Sequence, residues 1–237
     1  MIRYYFILVT VIYLLVNTVY VNADLYFWAD EYGKDHLTNK MPPKDAKIIR
    51  HVDDKSAEEY EREFIPYFPN GTLGENQCSD DDYNRWFSKY LSRMQESVLW
   101  QSNSEKEEIY RFLWLRTFRS PVCIRVNISS DSSATLTTKV TNGAGGYLPG
   151  ELIQNSTVTL SRNQKSKLLD TVNKNRFWTL EKGQSSGLDG SEWVIEGLRN
   201  GQYHVARIWS PEANNNIREI GMFMLKLSKY VEGDALQ

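Results

Sequence analysis

The sequence predicts an α+β fold in which a mostly antiparallel sheet is flanked by about three helices. Asn200-Gly201 separates two alternating segments, 193–199 and 202–209, and this arrangement is typical of a two-residue β-hairpin turn. From Ser79 onward, apolar residues recur at helical spacing through Val98. Predicted strands follow one another in runs instead of alternating with helices, which favours an antiparallel sheet over a parallel one.

Residues 1–23 have the pattern of an export signal. Arg3 precedes an apolar run from Tyr4 to Val21, and Val21-Asn22-Ala23 has the small-residue spacing of a cleavage site. Cleavage there leaves Asp24 as the first residue. The alternative is that residues 4–21 stay as a helix that anchors the protein in the inner membrane. We expect a periplasmic or secreted protein, with no membrane span after cleavage.

Residues 24–50 form a separate small β unit in this interpretation. Leu25–Ala29 is rich in aromatic residues, a turn containing Gly33 follows, and 34–38 returns as a second strand. A hairpin alone is marginally stable in water, so we expect it to dock on another part of the protein. The charged and then Pro- and Gly-containing stretch 51–77 predicts a linker. It leads to a larger α+β domain at 78–232 and a tail at 233–237.

Two patterns resemble those of other exported proteins. Trp28-x-Asp30-x-x-Gly33-x-x-His36-x-x-Asn39, with Pro42-Pro43 after it, resembles a short N-terminal domain of unknown function found after the signal peptide in proteobacterial exported proteins. That resemblance implies a location in the cell envelope and no particular activity. Trp193-Val-Ile-Glu196-Gly197, Tyr203-His204 and Leu113-Trp114-Leu115-Arg116 resemble segments of other uncharacterised exported bacterial proteins. This implies only that the larger domain recurs as a unit.

The remaining elements of the larger domain follow from residue periodicity and capping signals. Ser161 and the cluster at 214–216 predict the starts of two further helices, each with an inward apolar stripe. Stretches rich in Thr and β-branched residues predict strands at 109–118, 122–128, 134–141 and 151–160.

Composition excludes some classes of partner and leaves the redox state open. The chain has 28 Lys and Arg against 30 Asp and Glu, so its charge gives no reason to expect nucleic acid as a partner. Cys78 and Cys123 are an even pair, which in an oxidising compartment predicts one disulfide. The alternative is two unpaired thiols, with Cys123 buried in a strand.

The predicted hairpin fixes which residues share a face of the sheet. If Arg199 opposes Gln202, the numbers of opposed residues sum to 401, and faces alternate along each strand. Glu196 and Arg207 are then diagonal neighbours on one face, where we expect them to form an ion pair. His204 lies on the opposite face, so Glu196 cannot orient it as a base.

The functional candidates are few. His204 has the intrinsic pKa of a general base, although a core histidine fits the same pattern. No nucleophile–base–acid motif, cofactor motif or metal-ligand spacing occurs in the sequence. We therefore expect a non-catalytic binding or structural module of the cell envelope that recognises an envelope protein or a small ligand. Its candidate binding residues are Trp28, Arg116, Glu196 and Arg207. The alternative is a hydrolase-like enzyme that uses His204.

Overall fold

A computed structural model describes residues 24–52, 64–102, 107–181, 187 and 189–230. The predicted signal peptide, its alternative membrane anchor and the predicted tail lie outside these residues, as does part of the predicted linker. The described residues form an α+β fold with three helices, a six-stranded antiparallel sheet and a three-stranded antiparallel sheet, as the sequence predicted.

The six-stranded sheet is the centre of the larger domain. Its strands run in the order β7-β6-β5-β4-β8-β9, and every neighbouring pair is antiparallel. The strand bounds lie within two residues of the sequence predictions. They are β4 Glu108–Arg116, β5 Val122–Ile128, β6 Ala134–Thr141, β7 Leu152–Thr159, β8 Ser191–Arg199 and β9 Gln202–Trp209.

Two helices cover one face of this sheet, which we call the α2/α3 face. Helix α2 spans Arg162–Lys174 and begins at a capping box built on Ser161, as predicted. Helix α3 spans Asn216–Ser228, and the side chain of its N-cap, Asn215, accepts two backbone N–H bonds. Their buried apolar residues pack against those of the strands in one large core.

Helix α1, Gln77–Arg93, covers the opposite face, which we call the α1 face. Its N-cap is Asn76, and Ser79, the predicted cap, is instead the third helical residue of a capping box. The segment 64–76, which we predicted to be part of a linker, is packed structure, with Phe68 and Leu73 buried in the core beneath α1.

A stripe of small polar residues on α1 holds the segment 64–76. The carboxylate of Asp80 accepts N–H bonds from Gly71, Leu73 and Gly74 at 2.6–2.9 Å. The Asn84 side chain donates to the carbonyl of Phe68 at 2.8 Å. Polar groups that are satisfied in this way do not follow an apolar pattern, so periodicity could not predict that 64–76 packs on α1.

The small N-terminal unit has three strands instead of the two predicted: β1 Leu25–Ala29, β2 Asp35–Thr38 and β3 Lys47–Val52. β1 is central and pairs with both neighbours. The unit docks as expected, because Leu25 is buried against Ala144 and Leu148 of the glycine-rich β6–β7 connection.

The Trp-Asp-Gly-His pattern of this unit stabilises its first turn. Asp30 accepts the N–H groups of Tyr32 and Lys34, and its carboxylate lies 2.8 Å from Nε2 of His36. The His36 ring stacks on Trp28 with a centroid distance of 4.3 Å. The hydrogen bond with His36 is the main reason why the pKa of Asp30 is below its ordinary value.

Candidate functional site

The β8–β9 hairpin has the predicted register. Opposed residues sum to 401 from Glu192–Trp209 to Arg199–Gln202. Asn200 and Gly201 have φ angles of 53° and 73°, as a type I′ turn requires. His204 and Glu196 consequently lie on opposite faces of the sheet, as predicted.

The predicted ion pair between Glu196 and Arg207 is absent, because each residue has a different partner. Arg111 lies directly opposite Glu196 on β4 and makes two bonds to its carboxylate, at 2.6 and 2.8 Å. Arg207 opposes Val194, so Glu192 and Glu196 are its two diagonal neighbours, and it pairs with Glu192 at 3.0 Å. Arg111 was not predicted as the partner, because its place beside Glu196 depends on β4 being the second strand neighbour of β8.

The Arg111–Glu196 pair belongs to a charge cluster on the α1 face. Glu96, just after α1, lies 3.4 Å from Arg111, 2.9 Å from Arg125 and 2.8 Å from Lys139. Burial alone would raise the pKa of Glu96, but these three cations together hold it below its ordinary value. Glu96, Glu196 and Arg111 have almost no exposed side-chain surface, so these three side chains are not accessible to a ligand.

The Glu192–Arg207 pair is equally buried. Arg207 also donates to the carbonyl of Leu73 at 2.7 Å and lies over the Tyr83 ring at 3.6 Å. Glu192 Oε2 has no hydrogen-bond partner among the described residues. Burial raises the pKa of Glu192 to about 7, although Arg207 opposes this shift.

His204 lies on the α2/α3 face beside aromatic rings. Its ring packs edge-on against Phe177 at a centroid distance of 5.0 Å, and Gly197 opposite leaves the space that Phe177 fills. Burial lowers its pKa, and its Nε2 atom has no hydrogen-bond partner among the described residues. The small cavity beside His204 is lined by Thr72, Leu180, Tyr203 and Val205, none of which has a carboxylate.

The other candidate residues do not converge on one site. Trp28 belongs to the small sheet, and Arg116 lies at the end of β4 with its guanidinium 4.0 Å above the Trp114 ring. The predicted disulfide is not formed in this structure. Cys78 is exposed in the first turn of α1, whereas Cys123 is buried within β5, where burial raises the pKa of its thiol.

The outer edge of β9 presents unused backbone groups. Because Ser210 donates its N–H to the carbonyl of Ser191, the odd-numbered residues of β9 face away from β8. The N–H and C=O groups of Tyr203, Val205 and Arg207 therefore point outward, and they have no partner among the described residues. Val205 and Arg207 are only 7% and 3% exposed, so neighbouring residues cover most of this edge, and the part near the half-buried Tyr203 is the more open one.

Two cavities adjoin this edge. The cavity beside His204 has a volume of about 230 Å³. The second, of about 580 Å³, lies between the end of β9 and the start of α3. Leu180 lines both cavities, so they adjoin each other beside β9. We call the outer edge of β9 together with these cavities the β9 groove.

The groove was not predicted from the sequence, although one signal was present. No predicted strand follows Trp209, because Ser210-Pro211 and then a helix come next, so β8 is the only predicted strand neighbour of β9 that is close in sequence. The cavities depend on Leu180 and Thr72, which are far from β9 in sequence. No pattern within β9 could indicate them.

Comparisons of the chain with protein-family models, with curated proteins and with solved structures found no match. The resemblances to exported bacterial proteins therefore stay predictions. Within the described part of the chain, no group of three or more His, Cys, Asp and Glu residues could hold a metal ion. No helix there is both long and apolar enough to cross a bilayer.

Proposed function

We propose that this protein is an exported, non-catalytic binding module that takes an extended segment of a partner protein as an added strand along β9. The unpaired outward backbone groups of β9 beside two cavities are the observation that carries the proposal. Because Val205 and Arg207 are buried, an added strand would displace the residues that cover them. In strand addition, backbone hydrogen bonds supply affinity and pockets for alternate side chains supply specificity. The β9 groove has both features.

The charge of the larger cavity favours a basic segment. Glu181 and Glu212 line it, and none of the described residues that line it is a lysine or arginine. A Lys or Arg side chain of the bound segment would therefore enter an environment of opposite charge. The preferred ligand is an extended peptide that carries a basic residue next to apolar ones.

His204 fits this proposal as part of the groove wall. Its ring packs on Phe177 and its pKa is lowered by burial, so at neutral pH it offers an uncharged surface. A hydrolase would need a second group to act with this base. The lining of the cavity beside His204 supplies no carboxylate for that role.

The proposal is tested by selecting binders from a random peptide library on the folded protein and then measuring them against two variants. Val205→Pro removes one outward N–H and leaves the bonds to β8 in place, whereas Val205→Ala removes a similar part of the side chain and keeps the N–H. A peptide carbonyl left without its donor costs about 1–3 kcal/mol. We expect the selected peptides to bind Val205→Ala nearly as well as the wild-type protein.

We expect Val205→Pro to weaken the same peptides by about tenfold or more, which is the lower part of that energy range. Circular dichroism of both variants controls for folding. Equal binding by the proline and alanine variants would contradict strand addition at β9. Enrichment of acidic instead of basic peptides would contradict the assigned charge preference alone.

A further inference from the structure

We propose that the opposite edge of the sheet, β7, pairs with β7 of a second copy of this chain. The pairing would join two six-stranded sheets into one continuous antiparallel sheet across a two-fold axis. This inference is independent of the β9 groove, because the two strands are at opposite edges of the sheet.

The first observation is the accessibility of β7. Residues 155–159 are exposed on both faces of the strand. Leu160 donates its N–H to the carbonyl of Ala134, so the even-numbered residues face β6 and the odd-numbered ones face outward. The backbone groups of Asn155, Thr157 and Thr159 thus form an open edge, with no partner among the described residues.

The second observation is that β7 lacks the usual protection of an edge strand. Natural edge strands are commonly blocked by lysine, proline or inward-pointing charges. From Leu152 to Thr159, β7 has neither a charged residue nor a proline.

The third observation is the self-complementarity of β7 when it pairs antiparallel with itself. A two-fold axis perpendicular to the sheet leaves each residue of the second copy on the same face as in the first. Opposed residues share a face and faces alternate along the strand, so the numbers of opposed residues are both odd or both even, and their sum is even. With a sum of 312, Asn155 opposes Thr157, both of which face outward, and Ser156 opposes Ser156 at the axis. Hydroxyl and amide side chains then meet across the new ladder, with no like charges in contact.

The flanking charges complement each other in the same register. Glu151, whose side chain is 72% exposed, precedes β7, and the exposed Arg162 follows it. With a sum of 312, Glu151 of one copy opposes Ser161 of the other and is therefore next to Arg162 of that copy. Opposite charges thus meet at both ends of the paired strands, which favours a second copy over an unrelated chain.

Sedimentation equilibrium of the purified protein over a wide concentration range tests the proposal. We expect the wild-type protein to dimerise. Asn155→Pro, which removes an outward N–H, should weaken association at least tenfold, and Asn155→Ala should keep it. A wild-type protein that stays monomeric throughout, or an Asn155→Pro variant that dimerises like wild type, would overturn the proposal.

A charge exchange at Ser156 tests the register and covers the case in which Asn155→Pro does not fold. Ser156→Lys alone and Ser156→Glu alone should each be monomeric at low salt, because like charges then face each other at the axis. An equimolar mixture should form the heterodimer. Dimerisation of each single variant as in the wild-type protein, or no heterodimer in the mixture, would refute pairing about Ser156.

Discussion

Replacing Arg111 by methionine tests whether the buried charge cluster stabilises the fold. Arg111 is fully buried and supplies two of the three hydrogen bonds to the Glu196 carboxylate, the third coming from the Tyr203 hydroxyl at 2.9 Å. Removing one partner of a buried pair costs about 3–5 kcal/mol, because the remaining charge is left in a dry environment. For a chain of this size that corresponds to a fall in melting temperature of roughly 6–20 °C.

Arg93→Met is the matched control. Arg93 lies 3.6 Å from Glu151, whose side chain is largely exposed, so the same substitution there should cost under about 1 kcal/mol. Thermal and urea unfolding followed by circular dichroism measure both variants. If Arg111→Met destabilises the protein no more than Arg93→Met does, the cluster does not stabilise the fold as we infer.

The double variant Arg111→Met with Glu196→Leu separates the loss of the pair from the cost of an unpaired charge. In this variant Glu96 still has Arg125 and Lys139 as partners, and position 196 no longer has a carboxylate that would lack a partner. Apolar residues of similar volume often replace a buried pair at little cost. We therefore expect the double variant to be more stable than Arg111→Met, and a lower stability would contradict this explanation.

Two further predictions concern pH and His204. Because the pKa of Glu192 is raised in the folded state to about 7, the folded protein binds the extra proton, and stability falls as pH rises from about 4.5 through 7. Glu192→Gln should remove this part of the pH dependence, so the melting temperature should fall less between pH 5 and pH 8 than it does in the wild-type protein. If the fall is unchanged, the pKa of Glu192 is not raised in the folded state. His204→Ala should lower stability by about 1 kcal/mol through lost contact with Phe177. It should weaken peptide binding only slightly, because the backbone bonds to β9 supply the affinity. If His204→Ala melts like the wild-type protein but loses every activity found for the wild type, that result would favour the hydrolase alternative.

The sequence predicted those parts of the fold that depend on local patterns. The Asn200-Gly201 turn, the cap at Ser161 and the alternation along β8 and β9 are each decided by neighbouring residues, and the structure confirms them. The third strand of the small unit was missed because 47–52 contains charged residues and follows two prolines. Its pairing with β1 depends on a tertiary contact instead of on a hairpin turn.

The candidate site was less predictable, because it depends on strand order. Which carboxylate pairs with Arg207, and the fact that Arg111 faces Glu196, follow only once β4 is known to lie beside β8. The positions of β7 and β9 at the two edges of the sheet also follow only from the strand order. A sequence can indicate that a segment is a strand, but it cannot indicate which strands end the sheet when long connections separate them.

Backbone amide exchange on β9 tests the central claim most directly. In the free protein we expect the fastest exchange at Tyr203, whose outward N–H is half-buried, and the slowest at His204 and Ala206, which bond to β8. Val205 and Arg207 have outward N–H groups but are buried, so we expect intermediate rates there. A bound basic peptide should protect the three outward amides and leave the two inward ones unchanged. If a peptide binds tightly and the outward amides still exchange as in the free protein, β9 does not accept an added strand.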